Sequence, residues 1–153
     1  MNTALPTDAL DPIASRTVTG AARLRFLPRL FRQAYLAGEA TVYDVAARLS
    51  ADYCGGGWIF VEADNGGAYL YPDTEESYTV SVNSNGYGGT LSAQAFGIVC
   101  TLMALNHLTW RAHERRKDTG MAELMTHLVN AQERLKDLAA EHADGGKIYR
   151  AID

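Results

Sequence analysis

The chain has 153 residues, of which 47% are hydrophobic and 21% are charged, and its formal net charge at pH 7 is −4. A single domain of this length buries enough surface to fold without a disulfide or a structural metal. The charge is too small for a mimic of duplex DNA, which carries one negative charge per ~1.7 Å of helix axis.

The first 20 residues are predicted to form a flexible lead-in to a folded domain that spans residues 21–153. They contain Pro6, Pro12 and Gly20 and show little apolar periodicity. Two short helices are predicted next. Pro28 suits the first turn of the first helix, which Gly38 ends, and the second helix covers residues 39–50.

Two short strands are predicted on either side of Asn65-Gly66, a dipeptide typical of a two-residue hairpin turn. Such a turn fixes the register of the pair. It places Val61 opposite Leu70 on one face of the hairpin, and Glu62 opposite Tyr69 on the other face.

A third strand is predicted at residues 77–83, because apolar and polar residues alternate there. Asn85-Gly86 marks another turn, and residues 87–91 follow as a fourth strand. Short strands in direct succession favour an antiparallel meander. We therefore expect one sheet of about four antiparallel strands.

The remaining chain is predicted to be helical. Ser92 is a suitable N-cap for a helix that reaches about Arg111 and is apolar on nearly all sides, as expected for a buried central helix. A last helix at residues 121–142 stops at Gly145-Gly146, and residues 148–153 form a short tail. The fold class is thus α+β, a small antiparallel meander sheet packed with N- and C-terminal helices in a single domain.

Residues 93–110 are uncharged over a length close to that of a membrane span. Five of them are polar, which hydrocarbon would penalise, so we expect a buried helix and no membrane contact. Cys54 and Cys100 do not form a disulfide framework, and residues 1–20 lack the apolar run of a signal peptide. These features predict a cytoplasmic protein.

Residues 49–110 contain six acidic residues and neither lysine nor arginine. Because phosphate recognition depends on clustered cations, this region is expected to contact protein and to make no direct contact with nucleic acid. The candidate contact surface consists of acids and tyrosines from the predicted sheet and its loops. These residues are Glu62, Asp64, Tyr69, Tyr71, Asp73, Glu75 and Glu76.

Two basic groups leave open the alternative of a nucleic-acid-binding module. The first group is Arg23, Arg25, Arg29 and Arg32, and the second is Arg111, Arg115, Arg116 and Lys117. DNA contact would require both groups on one face. The second group has a simpler interpretation, because cations at a helix C-terminus complement the helix dipole. A face with Trp58, Phe60, Tyr69 and Tyr71 resembles a base-stacking platform, but such platforms lie in positively charged grooves and this region has no cation. Core packing or a protein-binding patch therefore explains the face better.

No sequence motif indicates catalysis. The glycine runs fit neither of the nucleotide-binding patterns GxGxxG and GxxxxGK[ST]. The histidines lack the i, i+4 spacing of a metal site. Cys54 as the nucleophile of a thiol enzyme is a third alternative, although no local feature marks an activated thiol. We expect no catalytic residue, no cofactor and no metal.

Four segments carry a more specific resemblance. They are RLRFLPRLF (23–31), GGGWIFVEADNGGAYLYP (55–72), NGYGGTLSAQAFGIVCTLMALNHL (85–108) and YRAID (149–153). In order and spacing they resemble the antirestriction proteins of the ArdB/KlcA type, over residues 21–153.

The resemblance implies a small cytoplasmic protein encoded on plasmids or other mobile elements. Such a protein is not an enzyme. It relieves type I restriction–modification, so that incoming DNA survives in a new host. The implied partner is the type I restriction–modification complex or a protein that controls it, and contact with it need not be direct.

Overall fold

The computed structural model of the chain describes residues 11–153, which contain five β-strands and five α-helices. The strands are β1 (Ser15–Thr17), β2 (Trp58–Ala63), β3 (Ala68–Pro72), β4 (Ser77–Val82) and β5 (Tyr87–Ser92). The helices are α1 (Arg23–Phe31), α2 (Tyr35–Leu49), α3 (Ala93–Glu114), α4 (Met121–Ala140) and α5 (Gly145–Ile152). Short 3₁₀ turns, Gly20–Ala22 and Arg32–Ala34, flank α1. The predicted α+β class is confirmed.

The strands form two antiparallel sheets, so the single four-stranded meander was wrong in this detail. One sheet has the order β1-β2-β3, and the other contains β4 and β5. Helix α3 occupies the position beside β3 where β4 was expected. The backbone N–H of Leu70 donates to the Thr101 hydroxyl (3.3 Å), which in turn donates to the Gly97 carbonyl (2.8 Å). A helix therefore supplies the hydrogen-bond partner of Leu70 at the outer edge of β3.

The predicted lead-in is wrong for residues 13–18, which are fixed to the domain. Strand β1 pairs with β2 and places Arg16 opposite Glu62. The N–H of Ile13 donates to a carboxylate oxygen of Glu141 (2.8 Å). The sequence of β1 does not predict a strand. All three of its residues are exposed, so apolar and polar residues do not alternate there. Residues 1–10 of the predicted lead-in lie outside the described part of the chain.

The β2–β3 hairpin is present, but its register is shifted by one residue from the prediction. Val61 lies opposite Tyr69, and Phe60 lies opposite Leu70. The loop has three residues, because the N–H of Gly66 donates to the Ala63 carbonyl (3.0 Å) and Gly66 has a φ of +84°. A type I turn followed by a left-handed glycine is the common three-residue hairpin loop.

The structure revises the helix boundaries at both ends of the chain. Pro28 lies inside α1, and Gly38 lies inside α2, where it does not end a helix. Glycine is needed there because a Cβ atom would lie 2.6 Å from Cδ2 of the Phe31 ring. The predicted C-terminal tail is helix α5. The side-chain amide of Asn85 caps it by donating to the carbonyl of Asp153 (2.8 Å).

Helix α3 is the centre of the domain, as predicted. The Ser92 hydroxyl accepts a hydrogen bond from the N–H of Ala95 (3.2 Å), which confirms the predicted N-cap. The helix packs against α2, α4, α5 and β3, and residues such as Phe96 and Leu105 are fully buried. None of the helices in residues 11–153 meets the length and hydropathy of a membrane span.

The close approach of α3 to β3 yields the first prediction. A Cβ atom at Gly97 would lie 2.5 Å from the Cα of Tyr71, and the backbone there cannot move aside easily. Gly97→Ala should therefore lower the free energy of unfolding by about 1–3 kcal/mol through overpacking.

Urea denaturation measures this change, and Gly146→Ala is the matched control. Gly146 is also helical, but a Cβ there would meet nothing within 4 Å. The control should be neutral or stabilising by up to about 1 kcal/mol. Equal stability of Gly97→Ala and the parent protein would contradict the proposed close packing.

Candidate functional site

The seven residues of the predicted contact surface do not form one patch. Glu62 and Asp64 lie at the turn end of the β2–β3 hairpin, whereas Asp73, Glu75 and Glu76 lie in the loop beyond its other end. At ~3.4 Å per residue, the length of β3 separates the two groups by roughly 15 Å.

The two tyrosines of the predicted surface lie between these groups. Tyr69 is only 5% exposed and belongs to the core, whereas Tyr71 is half-buried. Tyr69 is therefore poorly placed to contact a partner.

The turn end of the hairpin is not free of cations in space. Arg16 on β1 contacts Asp64 (N–O 3.0 Å) and Glu62 (3.8 Å), and Arg29 on α1 approaches Glu62 from another side (3.8 Å). Both arginines come from outside residues 49–110, where the sequence has none. The inference of a cation-free sheet surface is wrong at this end.

These arginines belong to a larger concave surface, which we call the arginine groove. It has a volume of about 480 Å³ and lies between β1, the β2–β3 turn, α1 and α4. Five arginines line it, and Glu62 is the one acidic residue among its described lining residues. The arginines are Arg16, Arg25, Arg29, Arg32 and Arg134.

Different elements position these side chains. Arg25 and Arg29 are four residues apart on α1 and so lie on the same helix face. Arg134 on α4 lies beside the hairpin turn, where its backbone carbonyl accepts a hydrogen bond from the Asn65 side chain (2.9 Å). The walls of the groove are thus formed by β1, the hairpin turn, α1 and α4.

Arg32 has an unusual backbone conformation. Its φ is +54°, and within residues 11–153 no other non-glycine residue has a positive φ. The Nε of Arg32 donates to Nδ1 of His127 (3.4 Å), and Nε2 of His127 lies 2.9 Å from the carbonyl of Leu30. The neutral imidazole with its proton on Nε2 satisfies both contacts. The strained backbone and His127 together direct this guanidinium into the groove.

The remaining member of the first basic group is engaged within the fold. The Arg23 guanidinium lies over the Phe60 ring (4.3 Å) and donates to the Trp58 carbonyl (3.2 Å). Phe60 also stacks on Phe26 (4.4 Å between centroids), and Trp58 is buried. Phe60 and Trp58 are therefore core residues and do not form a base-stacking platform.

The second basic group lies elsewhere. Arg115 forms an ion pair with Asp118 (3.1 Å), and Arg116 donates to the carbonyl of His113 at the end of α3 (3.0 Å). This geometry supports the helix-terminus interpretation. Arg111 and Arg115 line a separate groove of about 300 Å³ between α2, α3 and α4. The two basic groups do not share one groove.

The other end of the hairpin carries an exposed acidic surface, which we call the acidic loop patch: Asp52, Asp73, Glu75 and Glu76. In the described part of the chain, none of these residues has a cationic partner within 4.0 Å. Asp52 is included because it accepts a hydrogen bond from the N–H of Thr79 on β4 (2.8 Å), three residues after Glu76. Burial raises the pKa of Tyr78, and the nearby charges of Glu76 and Asp52 add to this effect.

Sequence reasoning did not include Asp52 in the candidate surface. It lies 21 residues before Asp73, in the segment between α2 and β2. No local motif connects the two positions, so its place in the patch follows only from the folded structure.

The cysteines show no activated thiol. Cys100 is fully buried on α3, and burial raises the pKa of its thiol. Cys54 is exposed, and its thiol donates to the Asp52 carbonyl (3.6 Å). Across residues 11–153 there is no group of three His, Cys, Asp or Glu side chains arranged to hold a metal ion.

Comparison with known proteins gives a consistent result. The family model described as antirestriction protein matches residues 51–153. Two Escherichia coli proteins named antirestriction protein KlcA are 41% and 39% identical to this chain, each over 94% of it and over 95% and 96% of their own length.

A solved structure also matches, with 38% identity and a TM-score of 0.78 over 93% of this chain and 96% of the other. That work describes KlcA and ArdB as having a novel fold and antirestriction activity against type I DNA restriction systems in vivo but not in vitro.

The strain at Arg32 yields a stability prediction. A side chain at this φ costs of order 1–3 kcal/mol, part of which glycine recovers despite its greater freedom in the unfolded chain. Arg32→Gly should raise the free energy of unfolding by about 1 kcal/mol, or the melting temperature by about 2–4 °C.

Arg32→Ala is the control, because it removes the same guanidinium but keeps a Cβ atom at the positive φ. Its melting temperature should not exceed that of the parent protein. Equal melting temperatures for the glycine and alanine variants would show that the backbone at this position is not strained.

The burial of Tyr69 yields a pH prediction. Burial, with a smaller effect of Tyr71, raises the pKa of Tyr69 from 10.0 to about 12. The folded state therefore holds this proton more tightly than the unfolded state, and stability is lost as the pH rises from about 10 to about 12. Tyr69→Phe should lose less stability over this range.

Urea denaturation at a series of alkaline pH values measures the slope. Burial followed by the charge of Glu39 also raises the pKa of Tyr43 to about 12, so Tyr43→Phe should reduce the slope in the same way. An unchanged slope in Tyr69→Phe would mean that this phenol is open to water in the folded state.

Proposed function

Because the chain belongs to the antirestriction protein family, we propose that it relieves restriction by type I restriction–modification enzymes. Its coverage of its KlcA relatives is nearly complete, so the comparison applies to the whole described domain. The activity would protect incoming mobile-element DNA in a new host. Type I enzymes act on DNA in the cytoplasm, and we propose the same location for this protein.

The protein would act as an inhibitor without catalysis. Its two thiols are poorly suited to nucleophilic chemistry, because Cys100 is buried and the Cys54 thiol has no hydrogen bond to a basic side chain among residues 11–153. An inhibitor of this kind has to contact a protein. That protein is the type I complex or a protein that controls it.

The relatives favour a contact that needs further cellular components. KlcA and ArdB are described as active in vivo but not in vitro. A protein that occupied the enzyme directly would be expected to inhibit the purified reaction as well. A controlling protein, absent from such a reaction, accounts for the difference.

The observation that carries the proposed contact is the acidic loop patch. Its carboxylates are exposed and have no ion-pair partner among residues 11–153. Unpaired charges at a surface steer association with a partner of opposite charge. We propose that the loop with Asp73, Glu75 and Glu76 contacts a basic surface on the partner, with Tyr71 at its margin. Glu62, Asp64 and Tyr69 have the structural roles described above.

The first test is the plating of unmodified phage on cells that carry a type I system, with and without this gene. The proposed function predicts that expression raises the plating efficiency, whereas modified phage plates equally on both strains. Several type I systems should be compared, because members of one family can differ in target. Unchanged plating on all of them would exclude the main proposal.

The second test changes the patch itself. Asp73→Asn, Glu75→Gln and Glu76→Gln together should weaken protection by about ten- to a hundredfold, since three surface charges of up to ~1 kcal/mol each contribute at most ~3 kcal/mol. Thermal unfolding should be unchanged, because these side chains are exposed.

The matched control, Asp44→Asn with Glu114→Gln and Asp137→Asn, removes three exposed acids from α2, α3 and α4. It changes the net charge equally and should keep protection. Full protection by the loop variant, or equal loss in both variants, would dismiss the acidic loop as the contact.

A further inference from the structure

We propose that the arginine groove is a second interaction site, which binds a carboxylate-rich segment of a polypeptide partner. It lies at the turn end of the β2–β3 hairpin, away from the acidic loop patch. The inference goes beyond the proposed function, because binding at this groove is a property of the chain that can be measured without any restriction assay.

The charge of the groove is opposite to that of the whole chain. The protein has a net charge of −4, yet five arginines line this groove, and among residues 11–153 only Glu62 and the adjacent Asp64 oppose them. The groove keeps an excess of three positive charges. Like-charged side chains that converge on one concavity repel one another, and an anionic ligand relieves that repulsion.

The guanidinium groups of Arg16 and Arg29 lie beside Glu62 without making a hydrogen bond to it. Glu62, whose side chain is 22% exposed, lies between Arg16 and Arg29 at 3.8 Å from each. This separation is too long for a hydrogen bond, so the donors that face Glu62 have no hydrogen-bond acceptor among residues 11–153 and are available to a closer one. Arginine presents a planar fork of donors that suits the two oxygens of a carboxylate.

Arg32 points to the same use of the groove. Its backbone is strained, and its guanidinium is tied to His127, whose ring is tied in turn to the Leu30 carbonyl. A glycine at this position would avoid the strain. Strain of this kind is characteristic of binding sites, where it fixes a functional side chain in position.

The shape and lining of the groove favour polypeptide over duplex DNA. Its volume of about 480 Å³ suits a few side chains. Pro28 and Ala68 also line the groove and are only half-buried, so they supply apolar surface that suits the methylene groups of acidic side chains.

The test uses the full chain and a short fluorescein-labelled peptide of alternating glutamate and alanine, followed by fluorescence anisotropy. The peptide should bind. The groove variant, Arg25→Gln with Arg29→Gln and Arg134→Gln, should weaken binding by at least about tenfold. A peptide of alternating lysine and alanine, which would contact the acidic loop patch, should bind the groove variant no more weakly than it binds the parent protein. Added salt should weaken binding to the parent protein, because the contacts are ionic.

The control variant is Arg111→Gln with Arg115→Gln and Arg116→Gln, which removes the same charge from the end of α3. It should bind the peptide within about twofold of the parent protein. Arg32→Gly adds a second check, since it should bind the peptide more weakly while its folded state is intact. Thermal unfolding confirms that all variants are folded.

Three results would overturn the proposal. The peptide could fail to bind, or the control variant could lose as much affinity as the groove variant. Alternatively, a labelled DNA duplex or inorganic phosphate could bind through the same arginines more tightly than the peptide, which would assign the groove to phosphate. Loss of peptide binding without loss of antirestriction in cells would leave the proposed function intact, so the two proposals can fail separately.

Discussion

The structure depends on the close approach of helix α3 to strand β3. Gly97 lets the two backbones come together, and the Thr101 hydroxyl bridges them by bonding to Leu70. In an ordinary sheet another strand would occupy this edge, and β4 would have been the natural candidate. Because the helix occupies it, β4 pairs with β5 alone, and the sheet divides into two. The β2–β3 hairpin is thereby held between α3 on one side and β1 on the other.

Fixing the hairpin in this way also determines where charge appears on the surface. Its turn contacts α4 through Asn65. This contact places Glu62 and Asp64 beside arginines from β1 and α1. Its other end leads into the loop of Asp73, Glu75 and Glu76, to which the folded chain adds Asp52. The protein therefore has a basic concavity and an acidic loop at opposite ends of one rigid element. A net charge of −4 conceals this separation.

Sequence patterns predicted the elements whose signals are local. The alternation of β4 and the capping hydroxyl of Ser92 are examples, and both are confirmed. The hairpin register was missed because Asn65-Gly66-Gly67 permits either a two-residue or a three-residue loop, and a shift of one residue exchanges the faces. Strand β1 was missed because its residues are all exposed. The arginine groove was beyond local reasoning, because Arg16 and Glu62 are 46 positions apart and meet only by strand pairing.

The opposite charges at the two ends of the hairpin bear on how a partner would be oriented. A single charged patch attracts any oppositely charged surface and leaves the partner free to rotate about it. Two patches of opposite sign, roughly 15 Å apart on a rigid support, favour a partner with the complementary pair at the same spacing. Each patch is exposed and thus weak alone, because water and salt screen it. Together they would select the orientation of a bound partner more than they would raise its affinity.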